Sequence, residues 1–209
     1  LSHFSRTGDP FAGSTDPWSA GNGSLMRLAP VPMFFAPRFE DAVSHSAEMS
    51  RTTHGATEAV DACRYYAALL VAALGGASKA DFLAPPSAPP PGFWDDAPLA
   101  PMVAAVAAGA FLEKEPPAIR GTGYVVEAME AALWAFATTD TFEAGALRAV
   151  NLGDDADTTG AIYGQLAGAH YGEAAIPAAW RDRLAYRTDI ALLAEALYEH
   201  SGCAQIDAA

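Results

Sequence analysis

The stretch Asn151–Gly172, NLGDDADTTGAIYGQLAGAHYG, crowds aspartates at 154, 155 and 157 just ahead of Thr158 and a run of small residues. Asp155, Asp157 and Thr158 offer only oxygen donors, the set that Mg²⁺, Mn²⁺ or Ca²⁺ takes. Carboxylates this close repel one another, so a helix start, solvent or a cation must offset them. An aspartate at a helix start also serves as an N-cap worth about 1 kcal/mol, and negative charge is favoured in the first turn. One aspartate suffices for that task, so on pattern alone the cap and the cation site stand level. A single DxDT does not close a coordination shell, and further carboxylates must come from elsewhere. An EF-hand is excluded because its ligand spacing and closing glutamate are absent.

Three further stretches hold residues that could act on a ligand. SAGNGSLMR sets Gly21 and Gly23 around Asn22, with Ser24 next. Such a loop exposes backbone N–H groups to an anion, although a tight turn before a helix is the plainer account. His54, in SRTTHGATEA, lies between two helical patterns and could donate to a phosphate or hydroxyl, or simply cap a helix end. RGTGYVVEAM enters a helix through Gly121 and Gly123, with Tyr124 on its first turn, where a tyrosine either stacks on a base or packs. His3, His45, His170 and His200 lack partners at ligand spacing. Cys63 has no base beside it, and two lone cysteines, Cys63 and Cys203, make neither a disulfide framework nor a CxxC zinc site.

The elements that must position these residues read as helices. Residues 1–24, rich in Gly, Ser, Thr, Asp and Pro, read as a loop. A short helix ended by Pro30 is expected next, then helices over 39–53, 57–74, 99–112, 123–138, 141–150, 157–171, 177–184 and 190–200. Gly160, Gly164 and Gly168 recur every fourth residue, so they share a face on which another helix can approach closely. No strand alternation persists and Ala is heavily used, so the fold class is all-α. Residues 77–98 form a Pro-rich connector. Neither flank has a separate core, which makes 1–209 a single domain.

The chain has 209 residues, 51% of them apolar, and a formal net charge of −13. That balance argues against nucleic acid as a partner, because basic clusters are needed to displace counterions. No apolar run reaches the length of a membrane span, and the start has no signal-peptide pattern. The expected setting is the cytoplasm. The first residue is Leu1 and the opening reads as mid-loop, so the chain is expected to be the later part of a longer one.

No motif decides alone, but their order does. GNGSLMRLAPV, SRTTHGATEAVDACRYYAALL, GTGYVVEAMEAALWAF and NLGDDADTTGAIYGQLAGAHYG, in that order, resemble the ADP-ribosylglycohydrolase family, and its bacterial dinitrogenase reductase-activating members in particular. The resemblance runs from about Trp18 to Leu184. It implies a compact all-α fold and two divalent cations, Mg²⁺ or Mn²⁺, held in a central cleft. It also implies hydrolysis of the bond joining ADP-ribose to a protein side chain, arginine above all, or to a small acceptor. Asp155, Asp157 and Thr158 then fall on the late metal motif. Gly21, Asn22 and Gly23, continued by Ser24, lie along ribose and phosphates, His54 on the diphosphate side, and Gly121, Gly123 and Tyr124 toward the adenine.

The family's N-terminal metal ligands, in a Thr/Ser-Asp-Asp-Thr motif, have no match here, and its catalytic acid or base belongs to that same region. The domain is therefore expected to be incomplete at its N-terminus, its metal site partial and its activity low. The rival readings are a module that binds ADP-ribose or a nucleotide without cutting it, and a crystallin-like structural protein.

Overall fold

The computed structural model describes residues 2–83, 89 and 91–201; Cys203 and residues 84–88 and 90 of the Pro-rich connector lie outside them. Helices follow one another along the chain: α1 (Ser2–Thr7), α2 (Pro30–Phe35), α3 (Phe39–Arg51), α4 (Thr57–Leu74), α5 (Lys79–Leu83), α6 (Pro101–Ala107), α7 (Val125–Ala137), α8 (Phe142–Val150), α9 (Ala156–Tyr171), α10 (Ala178–Arg181) and α11 (Arg187–Ser201). Short 3-10 turns stand at Pro17–Ser19, Leu25–Arg27, Ala110–Glu113 and Glu173–Ala175. Among the described residues, strand-like pairing is limited to two isolated bridges, Ser14 with His54 and Gly21 with Tyr124. The fold is all-α, as the helical periodicity predicts.

α4, α7 and α9 form the centre. Every residue of α7 from Val125 to Phe136 except Glu127 is buried, the condition of a helix that is apolar nearly all round. α4 buries Val60, Cys63, Tyr66, Leu69 and Leu70, and α9 buries Ile162, Tyr163, Leu166 and Ala167. Two polar side chains link the elements of this core. The Tyr66 hydroxyl donates to the Ile162 carbonyl at 2.7 Å. Gln165 donates to the Leu25 carbonyl at 2.9 Å and accepts from the Ala29 N–H at 2.6 Å, which fastens the Leu25–Arg27 turn to α9.

Several expectations need correction. Residues 1–24 are not all loop: they contain α1 and the Pro17–Ser19 turn. Pro30 starts α2 rather than ending a helix, because a first-turn proline has no hydrogen bond to lose. The pattern over 99–112 divides where Gly109 takes a left-handed conformation (φ 86°), leaving α6 and a 3-10 turn. The 177–184 pattern contracts to α10.

The glycine series on α9 is also not the close-packed face expected. Only Gly160 has a side chain, that of Val150, pressing on it, and Gly164 and Gly168 have none within 4 Å. The close approach to α9 is made instead by Gly145 of α8, which lies against the Tyr163 hydroxyl.

The described part of the connector returns to the same core. Trp94 packs on it, the Arg64 guanidinium lies 4.9 Å from the Trp94 ring centre, and Arg64 donates to the Ala97 carbonyl at 2.8 Å. The buried Asp61 takes the Ala100 N–H at 2.8 Å and pairs with Arg64 at 2.8 Å. These bonds pin the connector's end to α4.

Candidate active site

Three loops converge ahead of α9, and Asn22 holds them together. Its backbone N–H donates to the Gly123 carbonyl at 3.1 Å, and the Val125 N–H donates back to the Ala20 carbonyl at 3.0 Å. Its side-chain amide donates to the Thr122 carbonyl at 3.1 Å and to Asp155 Oδ2 at 2.8 Å. The Asp155 N–H donates to the Gly121 carbonyl at 2.8 Å, closing the third side. Asn22 is only 7% exposed, so leaving its amide without partners would be costly. Gly121 is required by contact: a Cβ there would stand 2.5 Å from Thr159 Oγ1, which itself donates to the Asp155 carbonyl. Thus Gly21, Asn22, Gly23, Gly121, Gly123 and Asp155, far apart in sequence, form one cleft wall.

The aspartates divide by role. Asp154 has a left-handed backbone (φ 51°) and turns toward Arg120 at 3.4 Å. Asp155 precedes α9, and its carboxyl is held below the usual range chiefly by the Asn22 hydrogen bond, then by Thr158. Asp157 lies in the first turn of α9, and its Oδ1 accepts the Thr158 N–H at 2.9 Å. The Thr158 hydroxyl is turned toward the Met26 sulfur at 3.7 Å. In kind, these hard oxygens suit Mg²⁺ or Mn²⁺. In number they supply part of a shell, since among the described residues no three His, Cys, Asp or Glu side chains gather as a metal-holding group.

His54 lies against the glycine loop. A Cβ on Gly23 would come within 2.9 Å of its Cε1, so glycine is needed for the ring to sit there. Arg27 donates to Thr53 Oγ1 at 2.6 Å, and Thr53 Oγ1 is 2.8 Å from His54 Nδ1. The Thr53 hydroxyl thus links Arg27 to the imidazole, and the tautomer of His54 sets which of the two donates at that contact. Burial, then Arg27, lowers the His54 pKa below 6.5.

Tyr124 lines a cavity of about 650 Å³ with Pro17, Trp18, Ala20, Gly21 and Glu58. Its hydroxyl donates to Glu58 Oε2 at 2.7 Å. Burial and that carboxylate push its pKa well up, so it stays a phenol. Trp18 is 98% exposed on a turn braced by Asp16, which accepts its N–H at 2.9 Å. Ser24 points elsewhere: it is fully buried, and its hydroxyl meets those of Ser50 at 2.9 Å and the Cys63 thiol at 3.5 Å. Burial pushes that thiol up to about 11, which leaves it unreactive.

Glu58 and Trp18 escape a reading of the sequence alone. Glu58 looks like a first-turn acid of α4 and Trp18 like an unremarked loop residue. The one available signal is the Pro-Trp pair directly before the glycine loop.

A family model described as ADP-ribosylglycohydrolase matches residues 1–205. The chain is 39% identical over 201 residues to an ADP-ribosylarginine hydrolase (Tri1) of Pseudomonas putida strain GB-1, covering 96% of this chain and 52% of that protein. It is 35% identical over 198 residues to the Tri1 hydrolase of Serratia proteamaculans strain 568, covering 95% and 52%. Over 70 residues it is 44% identical to the ADP-ribosyl-[dinitrogen reductase] glycohydrolase of Rhodospirillum rubrum, covering 34% and 24%. A solved structure titled ADP-ribosylglycohydrolase-related protein complex superposes with a TM-score of 0.84 at 45% identity, over 96% of this chain and 66% of that one. The chain spans about half the length of the two Tri1 relatives. With the family's pattern matched along nearly its whole length, and its motifs gathered into one cleft, the chain belongs to the ADP-ribosylglycohydrolase family.

Proposed function

We propose that this chain forms the ADP-ribose cleft, and part of the cation site, of a divalent-metal-dependent hydrolase that releases ADP-ribose from arginine side chains of proteins. The observation that carries this reading is the Asn22–Asp155 bond, which sets the acidic loop against the glycine loop and Tyr124. Arginine is favoured as the acceptor because two relatives bear the name ADP-ribosylarginine hydrolase.

Asp155, Asp157 and Thr158 would hold Mg²⁺ or Mn²⁺, which when bound supplies Lewis acidity and a template for the ribose hydroxyls and the attacking water. The chain's own residues then position the substrate. Asn22 holds Asp155 through Oδ2, which fixes that carboxylate at the head of α9. The loop of Gly21 and Gly23 lets the diphosphate approach the backbone, with the His54 ring beside it. Tyr124 presents its ring to the base. Cleavage breaks the bond from the anomeric carbon to the guanidine nitrogen through an oxocarbenium-like state. Water adds its oxygen to that carbon, and a proton goes to the leaving guanidine.

A second reading, an ADP-ribose-binding module without turnover, draws on the small number of cation ligands among the described residues. Calorimetric titration of Mg²⁺ and Mn²⁺ with and without ADP-ribose, beside an ADP-ribosyl-arginine hydrolysis assay, separates the two. The hydrolase reading expects metal binding that tightens with ADP-ribose and metal-dependent release of arginine, abolished by Asp157→Ala. Tight ADP-ribose binding without turnover moves the conclusion to the binding module. Full activity in Asp157→Ala refutes the cation site.

A further inference from the structure

The cavity beside the glycine loop contains a carboxylate with one oxygen to spare. Glu58 Oε2 takes the Tyr124 hydroxyl, while Oε1 has no hydrogen-bond partner among the described residues. The cavity's other features are aromatic or thin: Trp18, almost wholly exposed on its braced turn, the Tyr124 ring, and the backbone of Gly21 and Gly123. A tryptophan displayed this way gains nothing from the fold, and a flat ligand would bury it. Because Glu58 binds the phenol oxygen, its carboxylate lies at the edge of the Tyr124 ring. A planar ring stacked on Tyr124 therefore brings its own edge toward Oε1.

From this juxtaposition we propose that Glu58 is a specificity-determining residue that reads the amino edge of the base, so that the cleft takes a 6-aminopurine and rejects a 6-oxopurine. A carboxylate only accepts hydrogen bonds. It therefore pairs with an exocyclic amine and meets a carbonyl oxygen lone pair to lone pair. A guanidinium is the other group that aromatic faces and a carboxylate attract. The amine is favoured because the glycine loop next to Glu58 suits the diphosphate, which leaves the base, not the acceptor arginine, at this end. The inference rests on the proposed binding of an ADP-ribosyl group.

The test is calorimetric affinity for ADP-ribose and for its hypoxanthine analogue, on the chain as it is and on Glu58→Gln. The unaltered chain should prefer ADP-ribose by about tenfold or more, the scale of a hydrogen bond to a charged group. Glu58→Gln keeps an acceptor for Tyr124 but offers the base either a carbonyl or an amide N–H, so the preference should fall to near unity. Trp18→Ala should weaken both ligands by roughly tenfold, as loss of base stacking does. Equal binding of the two ligands by the unaltered chain, or a preference that survives Glu58→Gln, overturns the role of Glu58 and leaves the proposed function standing. Competition by agmatine with the potency of ADP-ribose would show a cation at Glu58 and overturn it as well. Binding of neither nucleotide would overturn both readings.

Discussion

At the scale of residues, Asn22 and His54 show how one side chain serves fold and site together. Asn22 joins three loops through its buried side chain, so Asn22→Ala removes the partner of the Thr122 carbonyl and of Asp155 Oδ2 at once. The expected loss is about 1–3 kcal/mol in denaturant unfolding, with weaker Mg²⁺ or Mn²⁺ binding. Unchanged stability would mean that the loops are held by something else. His54 gives a pH signature. Its folded pKa lies below its ordinary 6.5, so the unfolded chain binds the proton first as pH falls. Its contribution is unpenalised above 6.5 and turns unfavourable as pH drops from 6.5 through the lowered folded value. Thermal melts of the chain should weaken across that window, and His54→Gln should flatten the slope there. A slope that persists in the variant would assign the effect to other groups.

At the scale of elements, the contact between α8 and α9 sets where the acidic loop lies, because that loop is the link between them. Gly145 makes the contact possible by facing the Tyr163 hydroxyl, which in turn donates to the Phe142 carbonyl at 3.0 Å. Gly145→Ala should overpack this seam and cost about 1–3 kcal/mol. Removing the obstacle with Tyr163→Phe should make the double variant less unstable than the sum of the two single changes. Strict additivity in urea melts would show that the two groups do not meet.

At the scale of the whole molecule, stability is unevenly spread. α4, α7 and α9 are buried against one another, whereas α11 leaves Ile190, Leu192, Leu193 and Tyr198 exposed and packs chiefly on α2. Amide hydrogen exchange should therefore be slowest in α4, α7 and α9 and fastest, among the longer helices, in α11. Equal protection throughout would contradict that division. No described helix is long and apolar enough to cross a membrane.

What the sequence determined by itself was local. Apolar residues at helical spacing were enough for α3, α4, α7, α8 and α9, because a buried stripe of 3.6-residue period has few other solutions. The order of the four motifs was enough for the family. Breaks set by one residue's neighbours were less legible: Pro30 can begin a helix as well as end one, and Gly109 can continue a helix or turn left-handed. Only the tertiary structure decided which polar residues meet. Ser24, read as part of the ligand loop, is turned inward because Ser50 and Cys63 satisfy its hydroxyl there. Glu58 reaches the cleft because Tyr124, 66 positions later, gives it a proton donor. Asp155 is aimed by Asn22, 133 positions earlier. Such bonds leave no periodic trace in a sequence, since they depend on how helices stack and not on the spacing within any one of them.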